Sequence, residues 1–397
     1  MNPRQAISWI ALSAAVLGGA ALLGRVGVPA PQMILAIVTG AVLALTGKLP
    51  KPLPRQVNTG VQAMLGVLMG SYLQVSLLTS LGLDLLPVLA ITAATVVVSI
   101  AVALIFARAA KMDVRTATLG MLAGGSAAVV SAADDLGADP RRVAFMQYLR
   151  VALVALSAPA VAALLDDQAG ISYGSATLGG SVTDPGLPYW MIMGRSDQLA
   201  GLAIAIALCL IGVRIGGWLR MPNAALLGPM LVTAVVTALG LSHGYAPTHL
   251  FKDLLFVLIG FEVGARFTRQ VVREMARMIP GMAVAIVALS VLVAGMALGL
   301  AYFVNFALSD LYLATTPGGI NAVLATADKM GENLPLITSV QTVRLLGMML
   351  LLPLLMRVLR RFDGPASPSE ADGAEPPGGG QRPRQHEARE HQAAQHG

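Results

Sequence analysis

The stretch Thr315-Thr316-Pro317-Gly318-Gly319-Ile320-Asn321, running on through Ala327-Asp328-Lys329-Met330-Gly331 to Gln341-Thr342-Val343-Arg344, decides how this chain is read. It has a counterpart 194 residues earlier, where Gly124-Gly125-Ser126-Ala127 leads to Ala133-Asp134, Gly137, Gln147 and Arg150. In the same gap-free register Gly66 meets Gly260, Gly70 meets Gly264 and Pro159 meets Pro353. An Ala/Leu/Val-rich composition does not match Gln with Gln and Arg with Arg by accident. A fixed-period match is the signature of duplication, so the chain reads as two copies of a module of roughly 165 residues.

Composition says where the copies reside. The 397 residues are 56% hydrophobic and 12% charged, about half the charge of a soluble protein. Mean hydropathy is +0.72. A surface this poor in charge cannot stay solvated, which excludes two or three soluble domains. Net charge is +6 and pI about 9.7, but most Lys and Arg lie in short loops between apolar runs, where they orient helices in a bilayer. Direct nucleic-acid binding is not expected. Cys209 is the one cysteine, so disulfides within the chain and Cys-based zinc sites are excluded.

A spanning helix needs about 20 mostly apolar residues. Candidate spans are 6–24, 31–47, 58–78, 85–107 and 143–165, then 198–217, 224–240, 251–266, 280–305 and 334–356. Between the fourth and fifth of each set lies a Gly-rich, half-apolar segment, 116–138 or 310–332. With the N-terminus in the cytoplasm, Lys and Arg concentrate inside and only Arg25, Arg195, Lys252 and Lys329 fall outside. Each half then crosses five times, and the second is inverted relative to the first. The expected fold is therefore an all-α polytopic membrane protein of about ten transmembrane helices in two inverted five-helix repeats, each with a re-entrant or broken Gly-rich segment. The expected organisation is residues 1–165, first repeat; 166–196, external linker; 197–361, second repeat; and 362–397, a disordered cytoplasmic tail.

Inverted repeats with unusual segments are the signature of a secondary transporter core. Paired glycines, with Pro317 in one copy, break a helix and free backbone groups that lipid tolerates only against protein or a wet cavity. Gly124, Gly125, Ser126, Pro317, Gly318, Gly319 and Asn321 are thus candidate substrate-binding positions, against the alternative of tight turns that merely allow close packing. Gln147 with Arg150, and Gln341 with Arg344, share a helix face at i,i+3. Arg150 lies nine residues past Arg141, about 13 Å along a helix, near the middle of a ~30 Å core. An arginine there must face the protein interior. It can serve an anion path or form an Arg–Asp pair with Asp134 or Asp328. Those two acids and Glu262 are the candidates for a coupling proton or sodium ion. Glu262 stands where the first copy has Leu68, and an ordinary i,i+4 pair with Arg266 is its alternative reading.

The Pro-Gly-Gly segment with its Gln341…Arg344 helix, together with Leu226-Leu227-Gly228-Pro229 and the Gly260–Gly264 motif, resembles the AbrB family of bacterial membrane proteins. The resemblance runs from residue 6 to about 360. Ala123 and Ser126 depart from Pro317 and Ile320 of the second copy. Family members are labelled as ammonia monooxygenases or as regulators of gene expression, and the implied fold is similar to that of cation–proton antiporters. An oxygenase needs clustered His or carboxylate ligands, and the spans carry none. There is no Walker-type phosphate loop. The expected role is secondary transport of a small anionic solute in the bacterial inner membrane, driven by a proton or sodium gradient. No enzymatic activity, cofactor or metal is expected, and both termini are expected to be cytoplasmic. A membrane-embedded sensor acting on gene expression without flux is the alternative. A homodimer is expected by fold-level analogy alone.

Overall fold

The computed structural model describes residues 3–26, 30–72, 85–122, 129–130, 133, 137–169, 191–221, 223–240, 244–304 and 306–359. These form fourteen helices: α1 Pro3–Arg25, α2 Pro31–Thr46, α3 Arg55–Tyr72, α4 Leu85–Ala110, α5 Val114–Met121, α6 Pro140–Ala169, α7 Gln198–Trp218, α8 Ala224–Ala238, α9 His249–Gly264, α10 Arg269–Met275, α11 Ile279–Ala301, α12 Leu308–Thr315, α13 Ile320–Met330 and α14 Leu334–Leu359. A helix occupies each of the ten apolar stretches. Five of them, in α1, α4, α6, α7 and α11, are long and apolar enough to cross a membrane. Their outward faces carry Ile7, Val97, Leu199, Leu210 and Val284, all well exposed, while Arg150 and Arg344 are buried. Apolar side chains turned out and cations turned in is what a lipid solvent selects.

The duplicated register is visible in the helix boundaries. α5 and α12 begin and end 194 residues apart, as do the starts of α4 and α11, of α3 and α9, and of α6 and α14. Packing repeats as well: α3 lies against α8 and α9 against α2, and each pairing is the other's equivalent under that register. Glycine makes both interfaces close. A Cβ on Gly66 or Gly70 would collide with the carbonyls of Leu226 or Met230 on α8, and one on Gly264 with the carbonyl of Ile37 on α2. The matched Gly-x-x-x-Gly pairs therefore have a packing function, with small residues letting backbones touch where no hydrophobic force separates helix from lipid.

Gly124, Gly125, Ser126 and Asp134 lie outside the described residues, as do most of the 166–196 linker and all of the 362–397 tail.

Candidate functional site

The site begins with a helix that stops. Pro317 disfavours a helical conformation for the residue before it, and Thr316 turns extended (φ −57°, ψ 137°), ending α12. Four residues later the chain re-enters a helix as α13, with Gly319 at its N-cap. In the first half α5 ends in the same register, at Leu122 (φ −65°, ψ 119°). Each stop leaves carbonyls at a helix C-terminus without intrahelical partners.

Side chains from the following long helix fill those carbonyls. In the second half Gln341 Nε2 donates to Leu313 O (2.9 Å) and Thr316 O (3.3 Å). Arg344 Nη1 donates to Thr315 O (3.1 Å) and Thr316 O (2.7 Å), and its Nη2 to Gln341 Oε1 (2.5 Å). The first half repeats the motif residue by residue. Gln147 Nε2 donates to Leu119 O (2.5 Å) and Leu122 O (3.0 Å), and Arg150 Nη1 and Nη2 donate to Met121 O (2.9 Å) and Gln147 Oε1 (2.8 Å). The i,i+3 spacing lets each Gln orient its own Arg. A guanidinium at the negative end of a short helix is also where the helix dipole favours a cation.

This geometry corrects the expected Arg–Asp pairing at the second copy. Asp328 instead binds Lys252 Nζ on α9, with Oδ2 at 2.6 Å and Oδ1 at 2.8 Å, both side chains nearly buried. Beside it Lys329 pairs with Asp253 at 3.0 Å, which also accepts from Gln32 Nε2 at 2.9 Å. Lys252 lies in the first turn of α9 and is not a loop charge.

Arg150 and Arg344, one from each copy, border a single cavity of about 150 Å³. The Nε of each is buried without a partner, as is Asn321 Oδ1. The cavity wall adds Gln341 and the Gly318-Gly319-Ile320-Asn321 entry to α13, so the second-copy candidates Gly318, Gly319, Asn321, Gln341 and Arg344 come together with Arg150. Pro317 and Gln147 are not on that wall. Pro317 sets the break, and Gln147 is buried behind it on the carbonyls of α5. Glu262 stands at a more exposed edge, where it receives Gln62 Nε2 (3.4 Å) and pairs with Arg266 (3.4 Å), the i,i+4 contact the spacing suggested. Arg266 in turn lies 4.7 Å over the ring of Tyr148. Tyr148 and Asn223 also line the cavity. Tyr148 was masked by its apolar neighbours, and Asn223, in a left-handed conformation before α8, carried no sequence signal.

A chain whose described elements are all helices, with apolar outward faces and arginines turned onto broken helices, is of the α-helical membrane protein class. The profile of the family described as "Transition state regulatory protein AbrB" matches residues 33–360, and the chain belongs to the AbrB family. It is 32% identical over 339 residues to a protein of Escherichia coli (strain K12) named "Putative regulator AbrB", covering 85% of this chain and 92% of that one. It is 25% identical over 373 residues to "Uncharacterized protein YhjN" of Bacillus subtilis (strain 168), covering 90% and 93% of the two chains.

Proposed function

We propose that the chain is a secondary transporter of a small anionic solute, built as two inverted five-helix repeats in the bacterial inner membrane with both termini cytoplasmic. In this reading α5 and α12–α13 belong to segments that enter the membrane without spanning it as single helices, and the chain has no catalytic residues. The observation that carries the reading is the convergence of Arg150 and Arg344, from equivalent positions of the two copies, on one cavity beside a helix break. Permanent cations held at a broken helix with unsatisfied Nε–H groups draw an anion inward. Exposed apolar side chains on the long helices support a surrounding bilayer. Asp328 is committed to Lys252, which leaves Glu262, among the described candidates, as the acid at the cavity edge to handle a coupling ion.

The test is thermal stabilisation of the detergent-purified protein by a panel of small anions, cations and neutral metabolites, with Arg150→Gln and Arg344→Gln beside it. A ligand of the folded state raises stability by about 2.7 kcal/mol at a hundredfold excess over its Kd. A saturable shift from anions, lost in both variants, supports the reading. A shift that survives both substitutions moves the site away from the arginines and defeats it.

The names of the family and of the Escherichia coli relative favour a second reading, a membrane-embedded regulator that senses the same ligand without moving it. Removal of residues 363–397 separates the two, since a transporter keeps its flux without the tail and a tail-signalling sensor loses its effect on gene expression.

A further inference from the structure

We infer that the cavity takes a small dicarboxylate, a dianion rather than a monoanion, an assignment that rests on the anion reading above. The argument is a charge balance. Arg150, Arg344 and Glu262 are the charged residues on the wall among the described residues. Glu262 shares its charge with Arg266 at the more exposed edge, and Asp328 is neutralised by Lys252. Among the described residues, two guanidiniums thus remain without a carboxylate.

The carbonyls that hold them offset part of this charge, because a helix C-terminus is equivalent to roughly half a negative charge. The ends of α5 and α12 together remove about one. The N-terminus of α13, at Gly319–Asn321 on the same wall, restores about half. More than one positive charge is left facing the cavity, and a monoanion cannot neutralise it.

Geometry selects two separated carboxylates over one compact dianion. Each guanidinium donates through both Nη atoms to carbonyls and glutamine and keeps its Nε–H without a partner. The two cations arrive on different helices, α6 and α14, and share the cavity wall. A ligand with a carboxylate toward each satisfies both donors and separates its own charges. Size agrees, since a cavity near 150 Å³ accommodates a molecule of about six to eight non-hydrogen atoms, the range of malonate and succinate.

The deciding experiment is calorimetric titration of the full chain in detergent, at mildly alkaline pH and constant ionic strength. The probes are malonate, malonamate (the same size with one charge) and sulfate. Leaving one buried cation without its partner weakens binding by about 30-fold or more, so malonate is expected to bind at least that much more tightly than malonamate. In Arg344→Gln, and in Arg150→Gln should the first fail to fold, that advantage is expected to shrink to a few-fold. Equal affinity of malonate and malonamate overturns the dianion assignment and leaves the anion reading standing. Sulfate binding more tightly than malonate overturns the dicarboxylate geometry. No heat from any of the three in protein that melts cooperatively overturns both this inference and the anion site.

Discussion

Lys252 and Asp328 give the most demanding test of the packing described above. Their charges meet at 2.6 and 2.8 Å with side chains 8% and 10% exposed, and the pair ties α9 to α13. At that separation, with an effective dielectric near 20, the attraction is about 6 kcal/mol, much of it cancelled by the cost of taking both ions out of water. Truncating one partner removes the attraction and keeps the other ion's burial. Lys252→Met or Asp328→Asn should therefore cost about 3–5 kcal/mol. Lys252→Met combined with Asp328→Leu removes both charges and should return to within about 1 kcal/mol of the parent. Lys329→Met is the internal control. Its pair with Asp253 spans 3.0 Å, but the Lys329 side chain is 34% exposed, so solvent screening should hold its cost below about 1 kcal/mol. Equilibrium unfolding by SDS in mixed micelles measures all four variants. If both single changes at Lys252 and Asp328 cost less than about 1 kcal/mol, the pair is a solvated contact and the account of this interface is wrong.

Other expectations follow from the same coordinates. Gly66→Ala and Gly264→Ala drive a Cβ into backbone carbonyls of the facing helix and should each cost about 1–3 kcal/mol or more; Gly60→Ala on the same α3, with open space around it, should be neutral or slightly stabilising, read by thermal melts in detergent. Gln341→Leu leaves Leu313 O and Thr316 O without their amide donor and Arg344 without its orienting oxygen, so about 1–3 kcal/mol should be lost per site. Asp113→Ala removes the side chain that caps α5 through Thr116 N at 2.8 Å and should cost about 1 kcal/mol without changing ligand affinity by calorimetry. Gly319→Val brings bulk against Val151 at the cavity wall, where a Cβ alone would sit 3.1 Å from Val151 Cγ1, and should lower both the unliganded melt and the ligand-induced stabilisation.

What the sequence discloses is set by the range of each interaction. Apolar runs report burial along one helix, and a helix lies on every one of them. The i,i+3 spacing of Gln341 and Arg344 is equally local, and the bond between them is present. The carbonyl partners of the glutamine–arginine couple are not legible. Leu313, Thr315 and Thr316 are bound through backbone carbonyls, which carry no side-chain signature. Composition offered two aspartates as counter-ions, and only the fold shows Lys252 reaching Asp328 across 76 residues. Gly66 and Gly260 were visible as a matched pair, but their role required knowing that α3 meets α8 and α9 meets α2.

Duplication adds a further lesson about where to look. A group retained at both equivalent positions, such as the glutamine–arginine couple, does the same job twice: it closes a helix end and keeps a buried, unpartnered Nε–H. Groups present in one copy break the symmetry. Lys252 and Asp253 correspond to Asn58 and Thr59, neither of which can form an ion pair, so the crossed pairing of α9 with α13 has no charged equivalent on α3. Glu262 corresponds to Leu68, which is fully buried, so the cavity has an acidic edge in one copy alone. Among the described residues the cavity is thus two-fold in its cations and one-fold in its acid. Two fixed charges define what it can hold, and the unmatched residues on α9 make its two sides chemically distinct.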